Sequence, residues 1–177
     1  VRHECAGVCV IPVSESLYSF YERFGFSTAF YVSEQVFTPN DVSSPFNFIA
    51  SKTDPASFYE IYLSKYKKDG CVFKTGERFL QAVAEYRHPT QPCDFVQGEE
   101  GFAFVQRDSS ELVVREWAGF SAPNLASALI SRYGLPVRIQ DIPGEGELKP
   151  IAMLCSFDES LSDFAKEHRL YLNCMYN

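Results

Sequence analysis

Three side chains in this sequence could transfer protons: Tyr21, Glu34 and Glu116. Tyr21 lies in a helical pattern of aromatic residues, and a phenol can protonate a leaving group as a general acid. A carboxylate such as Glu34 or Glu116 could deprotonate an ammonium group if it pointed into a cleft. Each residue also has a structural explanation, because a helical tyrosine can pack its ring against a sheet and most strand glutamates face solvent. The sequence therefore offers candidate acids and bases without pairing them.

The spacing of the histidines and cysteines gives little support to a metal site or a catalytic thiol. His3, His88 and His168 share no metal-ligand spacing with one another or with the six cysteines, so we expect no metal site. The cysteines include no Cys-x-x-Cys pair and no local motif of a catalytic thiol. Because we recognise no secretory signal, we interpret them as reduced, mostly buried thiols of a cytoplasmic protein.

Composition narrows the range of partners. The 177 residues are 46% hydrophobic and 22% charged, which is typical of a globular protein rather than a disordered one. The formal net charge of -7 argues against nucleic acid as a partner, since phosphate binding needs a basic surface. No run approaches the roughly 18 to 20 apolar residues that cross a membrane. We therefore expect neither nucleic acid nor membrane as a partner.

A strand, a helix and a second strand would position the candidate phenol and the first glutamate. An apolar, β-branched run predicts a strand over 7–13. Aromatic residues at helical spacing predict a helix from Ser14 to Gly25. A strand rich in aromatic and β-branched residues follows over 28–37. Residues 38–52 have the composition of a linker.

A longer series of elements follows this linker. The predicted elements are helices over 53–70 and 75–87, strands over 93–97, 101–107 and 111–118, a helix over 121–133, strands over 136–142 and 150–157, a helix over 158–168 and a strand over 170–176. Short polar turns separate the first three strands, which indicates an antiparallel meander. The chain is therefore predicted to be an α/β protein.

The segment from Val13 to Phe26 resembles the late strand-helix-strand motif of the GCN5-related N-acetyltransferases. In that family the motif reads approximately Asn-x-x-Ala-x-x-x-Tyr-x-x-x-Gly-Phe. Here Tyr21 to Phe26 reads Tyr-Glu-Arg-Phe-Gly-Phe and matches well. Ser14 stands where Asn is usual, and Leu17 stands where Ala is usual.

The order of elements after Asp54 resembles a second copy of the same fold. The two resemblances imply a tandem protein of the acyl-CoA N-acyltransferase fold, with a central mixed sheet flanked by helices. Residues 1–41 are expected to form the C-terminal strand-helix-strand of one acetyltransferase domain. Residues 42–177 are expected to form a degenerate second domain. The chain does not begin with Met, so we expect an N-terminally truncated portion of a longer protein.

The resemblance also implies an activity of the longer parent protein: transfer of an acetyl group from acetyl-CoA to a primary amine by direct attack, which this portion alone need not carry out. Tyr21 would then protonate the departing thiolate. Ser14, Ser16 and Leu17 would lie near the pantetheine arm of acetyl-CoA, although either serine could instead be an ordinary helix cap. The two glutamates, at positions 34 and 116, would lie on the side of the amine substrate.

One departure from the family pattern leaves other functions open. Family members hold the pyrophosphate of acetyl-CoA in a Gln/Arg-x-x-Gly-x-Gly/Ala turn before a helix. The corresponding junction, 115–123, has one glycine, a bulky Phe and a Pro that lacks an amide hydrogen, so we expect no pyrophosphate there. The alternatives are a non-catalytic module that shapes a substrate cleft or forms a homodimer contact, and a hydrophobic-ligand carrier, suggested by 16 Phe and 10 Tyr.

Overall fold

The computed structural model describes residues 5–41, 54–144 and 147–172. The strands are β1 (Gly7–Val10), β2 (Ser27–Phe37), β3 (Cys71–Val72), β4 (Cys93–Gln97), β5 (Phe102–Arg107), β6 (Leu112–Ala118), β7 (Val137–Asp141), β8 (Glu147–Ser156) and β9 (Tyr171–Leu172). The helices are α1 (Glu15–Glu22), α2 (Phe58–Tyr66), α3 (Gly76–Tyr86), α4 (Ala122–Tyr133) and α5 (Glu159–Glu167). Single 3-10 turns lie at Pro39–Asp41 and Pro55–Ser57.

Seven strands form one mixed sheet in the order β1-β8-β2-β7-β6-β5-β4, and β3 and β9 form a separate parallel pair. In the large sheet only the β6–β7 pair is parallel, among the residues described. This arrangement confirms the predicted mixed sheet flanked by helices. Because β2 lies between β7 and β8, the N-terminal strand-helix-strand shares its sheet with the later strands. The division of the chain at residues 41 and 42 stays a prediction.

Local sequence accounts well for α3 and α4. The Thr75 side chain accepts a hydrogen bond from the Arg78 amide and so caps α3. The Ser121 side chain accepts from the Asn124 amide at the start of α4 in the same way. The α4 helix ends at Gly134, whose φ of 69° is a conformation that favours glycine.

An aromatic core fills the space between α2, α3 and one face of the sheet. The rings pack against one another with centroids 4.9 to 6.4 Å apart. Its largest fully buried side chains are Phe58, Tyr62, Tyr66, Phe79, Phe102, Phe104 and Tyr171. The opposite face packs against α4 through a second, largely aliphatic cluster. The close ring packing in the described part of this core leaves little room for the ligand of a hydrophobic-ligand carrier.

Several predicted boundaries are wrong. The helix predicted over 53–70 is a 3-10 turn followed by α2, which ends at Tyr66. The polar residues before Pro150, predicted as a loop, begin β8 at Glu147. The expected burial of the cysteines is also wrong, because none of the five that the structure describes is fully buried.

Some predictions fall partly outside the described residues, namely the linker over 38–52 and the last strand over 170–176. Within the described ranges, no helix combines the length and the apolar character required to span a bilayer.

Candidate functional site

Tyr21 lies in the last turn of α1 and is held against the start of β2. Its ring packs edge-on to Phe20 at 5.3 Å and is tilted against Phe26 at 5.6 Å. Its carbonyl oxygen accepts hydrogen bonds from the amides of Phe24 at 2.9 Å and Phe26 at 3.3 Å. Gly25, with φ of 83°, allows the sharp turn between helix and strand. The ring is half-buried, and among the described residues no side-chain hydrogen bond engages its hydroxyl.

Ser14, Ser16 and Leu17 lie at the opposite end of α1. Ser14 has the extended backbone of a helix cap, yet its side chain caps no amide. Its hydroxyl lies 3.0 Å from the hydroxyl of Ser16, and both residues are exposed. The amide of Leu17 donates to the Ser14 carbonyl at 3.1 Å. Because two hydroxyls share one hydrogen bond, one of them keeps its hydrogen for another acceptor.

Glu34 lies in β2 at the centre of a polar network on the sheet. Its two carboxylate oxygens accept from Gln140 at 2.8 Å, Arg138 at 3.2 Å and Lys149 at 3.4 Å. Burial opposes ionisation of this carboxyl, but the Gln140 hydrogen bond and the two cations outweigh it and lower its pKa. A carboxylate with a lowered pKa that accepts three hydrogen bonds is a weak base. Its contacts suit it to orienting the side chains of Arg138, Gln140 and Lys149.

Glu116 lies in β6 and has no exposed surface. Both of its carboxylate oxygens accept from Lys74 Nζ, at 2.9 and 3.1 Å. Burial is the largest influence and raises its pKa to about 7, against the opposing effects of Lys74 and of a hydrogen bond with Tyr62. This pKa would suit a general base at neutral pH, but the carboxylate is enclosed beneath α2 and α3.

A second buried cation lies beside Glu116. Lys65 Nζ forms an ion pair with Asp141 at 2.9 Å and lies 3.1 Å from the ring centroid of Trp117. Burial lowers the pKa of Lys65 to about 8, although Asp141 raises it. The cation and the aromatic face stabilise each other. The ion pair between Lys65 and Asp141 joins α2 to the end of β7.

The strands β6 and β7 separate soon after they pair. Their register covers only Leu112 to Val114 opposite Val137 to Ile139. Beyond it, the Tyr66 hydroxyl accepts from the Trp117 amide at 3.2 Å and donates to the Trp117 carbonyl at 3.1 Å. The Trp117 indole donates to the Gln140 carbonyl at 3.0 Å. These side chains fill the space between β6 and β7. The amide and carbonyl of Trp117 are therefore not available to an extended ligand that would bind beside β6 as an additional strand. Trp117 is thus a core residue.

The turn between β6 and α4 is tightly packed. A Cβ at Gly119 would lie 1.9 Å from the Glu100 carbonyl oxygen and 2.6 Å from the Gly101 Cα. The missing side chain at Gly119 therefore lets the backbone at 119 contact the backbone at 100–101. At the start of α4, Pro123 has no amide hydrogen, and the next amide bonds Ser121. The contact at Gly119, the missing amide hydrogen of Pro123 and the bonded Asn124 amide leave few donors for a pyrophosphate, and its exclusion from this turn stays a prediction.

Two clefts lie on the sheet face that carries Glu34. One, of about 310 Å³, is lined by Tyr18, Arg115, Gln140 and Lys149 together with apolar residues from the β1–α1 connection. The other, of about 330 Å³, shares the last three of these polar residues and also contains Glu34. The structure thus joins β2, β6, β7 and β8 in one polar region.

The predicted site residues fall into three groups. The first group, on α1, comprises Ser14, Ser16, Leu17 and Tyr21. Glu34 belongs to the polar network, and Glu116 belongs to the buried charge cluster. Within the described ranges, no hydrogen bond or ion pair directly joins a predicted site residue of one group to that of another, and no group of three or more potential metal ligands is found.

The sequence did not indicate a functional role for Lys149, and Arg115 was interpreted only as part of the junction over 115–123. The sequence signal that could have identified Arg115 was weak. Arg115 interrupts a buried strand pattern, between Val114 and Glu116, and such a charged residue needs a polar neighbourhood. The identity of its neighbours depended on strand order.

Comparison with solved structures shows that the chain has the fold of GCN5-related N-acetyltransferases. The chain is similar to a GCN5-related N-acetyltransferase from Kribbella flavida, with a TM-score of 0.55 and 16% identity over 87% of this chain and 44% of that one. It is also similar to a conserved protein from Enterococcus faecalis V583 named a probable N-acyltransferase, with a TM-score of 0.54 and 14% identity over 84% and 45% of the two chains. A third similar structure is Eis1 from Mycobacterium abscessus, with a TM-score of 0.50 and 12% identity over 90% and 49%.

These likenesses confirm the predicted fold. The chain spans about half the length of each of the three structures, which share 12 to 16% of its aligned residues. No protein-family model matches the sequence, and a search of curated proteins finds no match.

Proposed function

We propose that this protein is an N-acetyltransferase that uses acetyl-CoA and a primary amine, with Tyr21 as general acid. The observation that carries this proposal is the placement of Tyr21 at the α1–β2 turn of an N-acetyltransferase fold. The amine lone pair attacks the thioester carbonyl carbon, the C–S bond breaks, and the thiolate takes the phenol proton. A base or water removes the surplus proton of the amine.

The start of α1 supplies the proposed cofactor contacts. The Ser14 and Ser16 hydroxyls are exposed and not used as helix caps, so they can bond the amide groups of a pantetheine arm. Leu17 lies four residues before Tyr21 and therefore on the same side of the helix. For the substrate side, Glu34 offers a persistent negative charge, whereas Glu116 offers a carboxyl with a pKa near neutral pH.

The test measures release of the CoA thiol from acetyl-CoA with a panel of primary amines. Replacing Tyr21 by Phe removes only the hydroxyl, and we expect kcat to fall about 10²- to 10⁴-fold. The matched control is Tyr133→Phe, because Tyr133 lies in α4 and bonds Asp94 of β4, which is the edge strand opposite β1 in the sheet. Full activity of Tyr21→Phe would contradict the assigned role.

A second candidate function is a non-catalytic module that shapes a substrate cleft or makes a homodimer contact. The packed turn at Gly119, the missing amide hydrogen of Pro123 and the Asn124 amide that is bonded to Ser121 favour it, because they leave few donors for a phosphate. Exposed Phe20 on α1 and Phe24 in the turn after it also fit a contact surface. Calorimetry with acetyl-CoA separates the two functions. Tight binding contradicts the module, and a folded protein that neither binds acetyl-CoA nor releases thiol contradicts the enzyme.

A further inference from the structure

The 310 Å³ cleft beside the β1–α1 connection has an apolar part and a cationic part. Ile11, Val13, Ile151 and Leu172 contribute apolar surface. Val13 is 82% exposed, so this surface is open to a ligand. The polar lining comes from β6, β7 and β8, which places fixed strands beneath it.

The charge of this cleft is opposite to that of the whole chain. Arg115 and Lys149 are its charged lining residues, and its described lining includes no Asp or Glu. The chain as a whole has a formal net charge of -7. Two cations facing one cavity attract an anion and repel a second cation.

Arg115 is not neutralised by a carboxylate among the residues described. Its Nε and one terminal nitrogen donate to the Gln106 side-chain oxygen at 3.3 and 3.2 Å, and the other donates to the Gln140 oxygen at 3.2 Å. All of these acceptors are neutral amides. Because a guanidinium has five N–H donors, two of them remain for a ligand. A carboxylate would bond these donors more strongly than water does.

The network around Glu34 holds the amide of Gln140 in the required orientation. Gln140 donates its Nε2 to Glu34 at 2.8 Å, so its oxygen faces Arg115. Lys149 reaches Glu34 at 3.4 Å, and its side chain is 56% exposed. Arg138, which Glu34 shares with Glu111, also contacts Glu34 at 3.2 Å, and Gln140 donates to the other oxygen, so Glu34 keeps two partners if Lys149 turns towards a ligand.

We propose that this cleft binds a small organic monoanion through its carboxylate. The carboxylate accepts hydrogen bonds from Arg115 and Lys149, and an apolar substituent contacts Ile11, Val13 and Ile151. Two cations next to an apolar wall match one carboxylate with a hydrocarbon tail better than they match a free inorganic anion. This site does not depend on the proposed acetyl transfer.

The test is calorimetry on the full chain with 4-phenylbutyrate as the probe and 4-phenylbutanol as its neutral analogue. We expect 4-phenylbutyrate to bind at least about tenfold more tightly than the alcohol, because only the anion satisfies the cations. Arg115→Gln should weaken binding of the anion by a similar factor. The matched control is Arg132→Gln, on the exposed side of α4, and it should leave binding unchanged.

A second variant keeps the test decisive if Arg115→Gln does not fold. Val13→Glu places a negative charge at an exposed position in the cleft and should also weaken binding of 4-phenylbutyrate. The proposal is overturned if 4-phenylbutyrate does not bind, if the alcohol binds equally well, or if the folded Arg115 and Val13 variants bind as the unmutated protein does. Inorganic phosphate that binds as tightly as the probe would also overturn it.

Discussion

Removing the charge of Lys74 is expected to destabilise the protein, and more at high pH than at low pH. Lys74 Nζ lies 2.9 and 3.1 Å from the two carboxylate oxygens of Glu116. The Glu116 side chain is 0% exposed and that of Lys74 is 12% exposed. Lys74→Met keeps most of the aliphatic chain and deletes the ammonium group. It therefore leaves a carboxylate without its cation inside the core.

A buried carboxylate that stayed ionised after losing its cation would cost about 3 to 5 kcal/mol. Glu116 can take up a proton instead, and since its pKa is already about 7, the extra loss at pH 8 relative to pH 5 is limited to about 1.4 kcal/mol. Burial already raises the pKa of Glu116 to about 7, although Lys74 opposes this shift. Without Lys74, the folded-state pKa of Glu116 rises further. An unfolded chain has an ordinary glutamate pKa of about 4.3.

The sign of the pH dependence follows from these two values. Between the unfolded and folded pKa, the folded protein holds a proton that the unfolded chain has lost. The free energy of unfolding therefore falls as the pH rises, by about 1.4 kcal/mol per pH unit for one group. The pH interval over which the free energy of unfolding falls is wider in Lys74→Met, because the folded-state pKa of Glu116 is higher in that variant. The loss relative to the unmutated protein is expected to be small near pH 5 and largest near pH 8.

Urea unfolding at pH 5, 6.5 and 8 measures this difference, with the fluorescence of buried Trp117 as the signal. The control Lys166→Met removes an exposed ion pair with Asp163 and should change stability by less than about 1 kcal/mol at each pH. The double variant Lys74→Met, Glu116→Gln should lose most of the pH dependence. An equal loss for Lys74→Met at pH 5 and pH 8 would refute the reasoning.

Two further predictions concern backbone packing near the end of β6. Gly119→Ala should lower stability by about 2 to 5 kcal/mol, because its Cβ would meet the Glu100 carbonyl and its φ is 84°. Gly144→Ala, whose Cβ would lie 3.6 Å from its neighbour, should change the melting temperature little. Tyr66→Phe should cost about 1 to 3 kcal/mol in urea unfolding, since it removes the hydroxyl that bonds both backbone groups of Trp117. An unchanged midpoint would show that other groups satisfy them.

Elements with local signals were predicted closely from the sequence. The helix predicted over 75–87 is Gly76–Tyr86, because its cap and its apolar spacing both lie within the segment. The first strand of the meander was predicted at its observed bounds, Cys93–Gln97. By contrast, Glu147 to Lys149 resembled a loop and form a strand, since β2 supplies backbone partners from more than a hundred residues earlier.

The candidate site was only partly accessible from the sequence. The residues of α1 form one local motif, so their spacing could be interpreted directly. The cleft around Arg115 could not be predicted in this way. Its cations come from strands that are separated by β7 and β2 in the sheet. Local sequence does not encode which strands become neighbours.

The helices with clear caps, the meander and the motif that contains Tyr21 could be predicted from the sequence alone, because short-range spacing and backbone preferences control such features. Tertiary structure decided that β2 lies between β7 and β8, that Glu116 is enclosed with Lys74, and that Arg115 faces a cleft without a described acidic partner. The physical reason is that pKa values and charge balance depend on which distant groups exclude water together. Those groups meet only when the sheet forms.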